Sequence, residues 1–246
     1  MTRRTRLLDY ALIVLAAVFG IDSILLLIAR GSSGYTHFGW SEVNILLWDT
    51  LLSLIFFVQH SGMVRRSFRA RLASVVQARY QGAIYTIASG IALTVVVFFW
   101  QRSETGLVVL QGTPRLIATA CSLLSALVFV LSAYSLRSFD PLGIGPIRSH
   151  LRAMDRQPGP FVMRGPYRWV RHPLYSCILV LFWANPDLTL DQLLFNLLWT
   201  SWIYAGALLE ERDLKHEFGD VYLRYQKAVP MLVPWRGPAA KMAWES

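Results

Sequence analysis

Two short runs concentrate the side chains able to do chemistry. Arg171-His172-Pro173-Leu174-Tyr175 sets a cation, an imidazole and a phenol within five residues, and Glu210-Glu211-Arg212 supplies adjacent carboxylates. A guanidinium grips a carboxylate or another anion through parallel charge-assisted hydrogen bonds, and an imidazole exchanges protons near neutral pH. Gln59, His60 and Ser61 form a third polar group, with Asp140 as a lone acid elsewhere. All of these stand at the edges of apolar stretches, where polar side chains are costly and hence functional candidates by default.

Those apolar stretches define the elements that must position the polar groups. Of the 246 residues, 54% are hydrophobic and 16% charged, against about 25% charged in an average soluble domain. The apolar residues fall in blocks close to the roughly 20 residues that cross a bilayer. Five long blocks run from Leu7 to Ala29, Val43 to His60, Ala83 to Trp100, Leu116 to Leu136 and Leu190 to Leu209, and a shorter one from Leu174 to Ala184. The pattern predicts an all-α polytopic membrane protein of about six membrane-embedded helices, with a cytoplasmic C-terminal segment. Residues 1–136 are expected to form a four-helix N-terminal region; residues 137–246 form a loop, a helix hairpin turning at Asn185-Pro186-Asp187, and the C-terminal segment. The first block exceeds a signal-peptide core and lacks a small-residue cleavage site before Asp22, so it is expected to stay as a helix.

Lys and Arg give the orientation, because cytoplasmic loops carry their excess. With the N-terminus inside, 21 of the 24 basic residues lie on the inner side, and only Arg30, Arg102 and Arg115 lie outside. Both termini and the Arg137 to Arg171 loop are therefore expected in the cytoplasm, as in a bacterial inner-membrane protein. The net charge of +9 then meets anionic lipid headgroups. Nucleic-acid binding does not follow, since the charges track the inner loops and form no reading module. Cys121 and Cys177 lie in apolar helices with neither metal-ligand spacing nor a disulfide framework.

The hairpin brings the start of one helix beside the end of the next, which sets Arg171-His172 close to Glu210-Glu211. From Pro173 to Asn185 a helix rises only about 20 Å, against roughly 30 Å of hydrocarbon. Either Arg171 and His172 sit below the inner surface, or the helix continues back through Tyr167 with a kink at Pro173. In both cases the cation and the imidazole need partners, and the glutamates are nearest. An interfacial salt-bridge cluster and a functional site both fit these four residues; Gly165-Pro166-Tyr167 upstream and Tyr222, Tyr225 and Pro230 downstream weigh toward the second.

The ordered set Gly165-Pro166-Tyr167-Arg168-Trp169-Val170-Arg171-His172-Pro173-Leu174-Tyr175, Glu210-Glu211-Arg212-Asp213-Leu214 and Phe218-Gly219-Asp220-Val221-Tyr222-Leu223-Arg224-Tyr225 resembles the isoprenylcysteine carboxyl methyltransferase superfamily, over about the last 75 residues. Upstream, Phe57-Val58-Gln59-His60-Ser61-Gly62-Met63 and Ser138-Phe139-Asp140-Pro141-Leu142-Gly143 are similar to its branch of methanethiol S-methyltransferases and NnrU-type proteins. One departure is Cys177, where the superfamily pattern usually has Gly.

The resemblance implies an S-adenosyl-L-methionine site opening to the cytosol, built from Tyr167, Arg171, His172, Pro173, Leu174, Tyr175, Glu210, Glu211, Tyr222 and Tyr225. In that reading Arg171 pairs with the methionyl carboxylate, and Glu210 or Glu211 accepts from the ribose or the amino group. Tyr175, Tyr222 and Tyr225 offer rings to adenine or to the sulfonium. Methyl transfer needs donor and acceptor held in line, and a base only where the acceptor starts protonated. A thiol does, with a reference pKa near 8.5, and His60 is the candidate base, with Arg171 and Glu211 completing the reactive set. Gln59, Ser61 and Asp140 are candidates for shaping the acceptor pocket. His60 also reads as an interfacial histidine, and Asp22 and Asp49 as structural polar contacts. The expected activity is S-methylation of a small lipophilic thiol. Methylation of a prenylcysteine or lipid-type acceptor is the alternative enzyme reading, an NnrU-type accessory protein the non-enzymatic one, and a transporter the remaining one.

Overall fold

The computed structural model describes residues 3–29, 36–135, 140–154, 161 and 163–240. Arg30, Arg137, Ser138, Phe139, Arg156 and Lys241, which figure in the charge pattern or the upstream motif, lie outside the described residues. Among the described residues, five helices are long and apolar enough to cross a membrane: α1 (Arg3–Ala29), α2 (Glu42–Val64), α4 (Ala78–Phe99), α5 (Gly112–Ser135) and α8 (Leu190–Phe218). A sixth apolar helix, α7 (Pro173–Trp183), is short. The remaining elements are α3 (Arg66–Leu72), α6 (Gly145–Leu151), a 3-10 turn at Gly165–Arg168, α9 (Asp220–Ala228) and two strands, β1 (Gly106–Val109) and β2 (Asp187–Thr189). The chain is thus an all-α multi-pass membrane protein, with large apolar side chains such as Leu47, Val58, Leu116 and Leu123 facing outward from the spans.

The described residues fall into two compact units, one within Met1–Glu104 and Asp140–Pro158, the other within Thr105–Phe139 and Gly159–Ser246. A division at residue 136 cuts the chain elsewhere. Here α5 groups with the C-terminal elements because it packs on α7 and on the 3-10 turn, and α6 groups with α1 and α4, on which it packs.

In the first unit α1 and α4 pack most extensively. Gly90 makes this possible: a Cβ there would strike the backbone of Phe19, and small residues are what allow helices in a membrane to approach so closely. The loop before α6 approaches as tightly, with Gly143, at φ +62, against the backbone of Gly82. At one end of this unit, Asp9, fully buried, accepts a 2.7 Å bond from the Tyr80 hydroxyl; Arg79 donates to Tyr80 at 2.8 Å and to His150 at 3.1 Å. At the other end, Asp49 on α2 accepts the backbone N–H of Gln101 at 2.9 Å, and the Trp48 indole donates to the Phe99 carbonyl. The expected structural role of Asp49 is visible in that bond, whereas Asp22 is exposed on α1.

In the second unit the turn between α7 and α8 carries a feature the hydropathy pattern does not reveal. Asp187 opens β2, which pairs antiparallel with β1, and the Arg115 guanidinium holds the Asp187 carboxylate with two bonds of 2.7 and 2.9 Å. Asn185 caps this corner by accepting the Asp187 N–H at 3.1 Å. Cys177 is buried beside Ser125 of α5, whose hydroxyl donates to the Cys177 carbonyl at 2.9 Å, so the side chain at the usual glycine position packs into the α5–α7 contact.

Candidate active site

Pro173 decides the local geometry. It sits at the first position of α7, where its missing N–H is unneeded and its fixed φ suits a helix start. Arg171 and His172 therefore lie just outside the helix in extended or irregular backbone, and the 3-10 turn containing Tyr167 is a separate element. Of the two arrangements open at the sequence level, the chain adopts the short helix. At 11 residues α7 rises only about 16 Å.

Helix α8 supplies the acids. Glu210 and Glu211 are not its end, as the apolar pattern implied; it continues to Phe218. Glu211 follows Ala207, Ile203 and Trp199 along the buried face, while Glu210 is about half exposed. The Arg171 Nε donates to Glu211 Oε1 at 2.6 Å, and His172 Nε2 lies 3.2 Å from the same oxygen. Gln226 Nε2 donates to Glu211 Oε2 at 2.6 Å. Both carboxylate oxygens are thus engaged. The Tyr175 hydroxyl donates to Glu210 Oε2 at 2.8 Å, and the His172 and Tyr175 rings stack, 5.4 Å between centroids and 8° from parallel.

Arg171 is also tied to the main chain at the end of α9. Its Nη1 donates to the carbonyls of Gln226, at 3.0 Å, and Val229. Tyr222 and Tyr225 are buried on α9 against Phe161 and Met163, and the Tyr225 hydroxyl donates to the Tyr167 carbonyl at 2.7 Å. The Tyr222 hydroxyl lies near Arg171 and, though buried, meets no partner in hydrogen-bond geometry among the described residues. Burial pushes the hydroxyls of Tyr167, Tyr222 and Tyr225 above the usual phenol range, so they remain neutral donors throughout the physiological range.

The second unit therefore brings together Tyr167, Arg171, His172, Pro173, Tyr175, Glu210, Glu211, Tyr222 and Tyr225, with Leu174 half-buried in the first turn of α7. Gln226 joins them unannounced. Its signal was the spacing: Tyr222, Tyr225, Gln226 and Val229 recur at i, i+3, i+4 and i+7, one face of a helix.

The other candidates belong to the first unit. His60, on α2, has its Nε2 2.7 Å from the hydroxyl of Tyr85 on α4, and its ring packs 5.1 Å from that of Phe56. Tyr85 was not singled out in the sequence. The Gln59 amide points to Met63 Sδ at 2.9 Å, while its Oε1 is buried without a partner. Ser61 is half-buried one residue beyond His60. Asp140 accepts the backbone N–H groups of Ile144, at 3.1 Å, and Gly145, at 2.6 Å. It thus holds the loop into α6 rather than presenting a free carboxylate.

The donor set fits a zwitterionic, cationic cofactor on one observation: beside saturated Glu211 the site keeps polar capacity in hand. Glu210 retains exposure, the Tyr222 hydroxyl is unpartnered, and Nη2 of Arg171 makes no hydrogen bond among the described residues.

Comparison with known proteins gives these groups a context. The family model described as NnrU protein matches residues 50–215, two thirds of the chain, including His60, Arg171 and Glu211 but ending before Tyr222. A methanethiol S-methyltransferase of Pseudomonas deceptionensis is 37% identical over 192 residues, 77% of this chain and 72% of that protein. Methanethiol S-methyltransferase 1 of Bradyrhizobium diazoefficiens is 34% identical over 200 residues, 80% and 69% of the two chains. Nurim of Rattus norvegicus is 26% identical over 186 residues, 70% and 68% of the two. No solved structure matches. With a family match over most of its length and relatives above 30% identity spanning more than two thirds of theirs, this chain belongs to the NnrU family of membrane proteins.

Proposed function

We propose that the protein is an S-adenosyl-L-methionine-dependent methyltransferase that S-methylates a small lipophilic thiol such as methanethiol. The observation that carries the reading is the buried Arg171–Glu211–His172 cluster, at a membrane-embedded helix start, in a chain similar over most of its length to methanethiol S-methyltransferases.

When bound, the donor supplies an electrophilic methyl group, and thiol plus donor give methyl thioether, S-adenosylhomocysteine and one proton. The residues that would hold it are Glu210, for a cationic amino group or ribose hydroxyls, and the free Nη2 of Arg171, for a carboxylate. Tyr175 and Tyr222 add aromatic faces, which favour a cation by about 0.5 to 2 kcal/mol each. Glu211 and His172 keep these groups in place, and Pro173 and Leu174 form the wall of the α7 start. His60, steadied by Tyr85, takes the thiol proton, while Gln59 and Ser61 line the acceptor's approach. Asp140, through the loop it caps, would shape the acceptor's approach.

Orientation follows the same reading. Both termini and the basic inner loops lie in the cytoplasm of a bacterial inner membrane, where they contact anionic lipid. Cysteine-accessibility labelling at Ser74 and Arg102 checks it: Ser74 should label only after the membrane is opened, and Arg102 in intact cells.

The function is tested by offering labelled donor and purified protein a panel of thiols, prenylcysteines and lipid amines. Label is expected in the thioether. Label only in a prenylcysteine ester or lipid amine would move the protein to the other enzyme class, and no transfer to any acceptor would end the enzyme reading.

A further inference from the structure

We infer that Gln226 is a positioning residue of the site, and that Arg171 serves chiefly to strap the end of α9 and the chain that follows it onto the start of α7, with Glu211 as their shared anchor. The strap is residues 226–232. Five of its carbonyls accept hydrogen bonds from residues 171–176: those of Gln226 and Val229 from Arg171 Nη1, Pro230 from the Arg171 N–H at 2.8 Å, Met231 from the His172 N–H at 3.1 Å, and Leu232 from Ser176 Oγ at 2.7 Å. The direction is uniform: α7's leading segment donates and the strap accepts.

Gln226 closes the loop. Its carbonyl accepts from Arg171 while its side-chain amide donates to Glu211 Oε2, and Arg171 Nε holds Glu211 Oε1. A ring of three side chains thus joins three separate elements: the segment before α7, α8 and α9. A planar guanidinium suits this because its donors leave in fixed, diverging directions; an ammonium at the same place cannot serve Glu211 and two carbonyls with that geometry. Because Nε and Nη1 are committed, only Nη2 remains for a ligand. The strap also continues from α9, so its position sets where Tyr222, with its unpartnered hydroxyl, stands beside Arg171. In this way Gln226 acts on donor binding through Glu211 and Arg171 without touching the donor. That last step rests on the donor reading above; the strap itself does not.

The test uses the full-length protein in detergent and the variants Gln226→Glu and Gln226→Ala. Two readouts are taken at pH 8 and pH 5.5, each relative to the parent at the same pH: hydrogen–deuterium exchange of the 226–232 segment, and affinity for S-adenosylhomocysteine. Gln226→Glu places a second carboxylate against Glu211. Two carboxylates sharing one position repel until one takes up a proton. At pH 8 the segment should exchange about tenfold faster or more and the ligand should bind about tenfold to a hundredfold more weakly, the usual consequence of losing a hydrogen bond to a charged group. At pH 5.5 both effects should shrink to within about threefold, because the pair then shares a proton. Gln226→Ala should show a smaller loss at both pH values. A parent-like Gln226→Glu at pH 8, or a loss that is the same at both pH values, overturns the direct coupling to Glu211. If Gln226→Glu does not fold, unchanged exchange of the segment in Gln226→Ala overturns it. Failure of the parent to bind S-adenosylhomocysteine would remove the donor reading alone, since the exchange data still decide the strap.

Discussion

The polar centre around Glu211 and the polar pair around His60 are both set among apolar helices, yet they are built on opposite plans. Glu211 is saturated: Arg171, His172 and Gln226 all donate to it, and Arg171 in turn reaches two carbonyls across the strap. His60 stands beside the hydroxyl of Tyr85 on a neighbouring helix and packs on Phe56. A group with many partners is held still, and removing any member leaves the others unsatisfied in a poorly hydrated place. An imidazole beside an exchangeable hydroxyl can take and return a proton. We propose a division of labour in which the first centre fixes geometry and the second handles the acceptor's proton.

The largest effect that can sharpen this contrast is expected at His60. His60→Ala should lower turnover by about 10² to 10⁴, the usual worth of a positioned general base, with donor affinity nearly unchanged. Raising the pH from 6.5 to 9.5 should partly restore the variant, since more thiol is ionised before it binds. Full turnover of His60→Ala at pH 6.5 would remove the base role and with it half of the comparison.

Glu211→Ala should act the other way, on binding and integrity. Removing one member of a buried ion pair costs about 3 to 5 kcal/mol, or roughly 10² to 10³ or more in an equilibrium constant. Calorimetric titration with S-adenosylhomocysteine and thermal unfolding should both register it. Should the variant fail to fold, Glu211→Gln, which keeps the shape and loses the charge, should show a smaller loss of the same kind. A folded Glu211→Ala with parental affinity would contradict the anchoring role.

Arg171→Lys separates a fork from a charge. If bridging matters, lysine should weaken donor affinity about tenfold to a hundredfold, nearly as much as alanine, because each lost charge-assisted bond is worth about 1.5 to 3 kcal/mol. Recovery of parental affinity in Arg171→Lys would mean that charge alone suffices.

The smallest effect is expected at the far end of the second unit. Arg115 and Asp187 make a two-bonded pair in the open, whereas Arg171 meets Glu211 through a single buried bond. Exposed pairs add little to stability, because solvent screens them and their side chains lose freedom. Arg115→Ala should therefore shift the unfolding midpoint by no more than a degree or two and leave turnover unchanged; a loss comparable to Glu211→Ala would show that burial is not what distinguishes the two pairs.

The sequence was most legible where hydrophobic length is the signal. The five long spans and the short α7 follow from apolar blocks, and the hairpin logic that put Arg171 and His172 beside the two glutamates needs only antiparallel neighbours. Legibility failed where helicity outlasts hydropathy. Residues 210–218 are charged but good helix formers, so α8 runs past Leu209 and carries both glutamates inside a helix. The β1–β2 pair was hidden because strands of four and three residues leave no period to read. The strap was hidden for a deeper reason: its acceptors are main-chain carbonyls, which every residue possesses, so no side-chain pattern betrays them. The backbone bonds of Asp140 were hidden in the same way, since the main-chain N–H groups of Ile144 and Gly145 that it accepts leave no mark on a side-chain pattern.

The central claim is methyl transfer to a small thiol, and its most direct test is stoichiometric. Purified protein is incubated with S-adenosyl-L-methionine and methanethiol in a sealed vessel, dimethyl sulfide is measured in the headspace and S-adenosylhomocysteine in the liquid. The account predicts equal amounts of the two products, formed only when protein, donor and thiol are all present. Protein that binds S-adenosylhomocysteine yet yields no dimethyl sulfide above the protein-free control would contradict it.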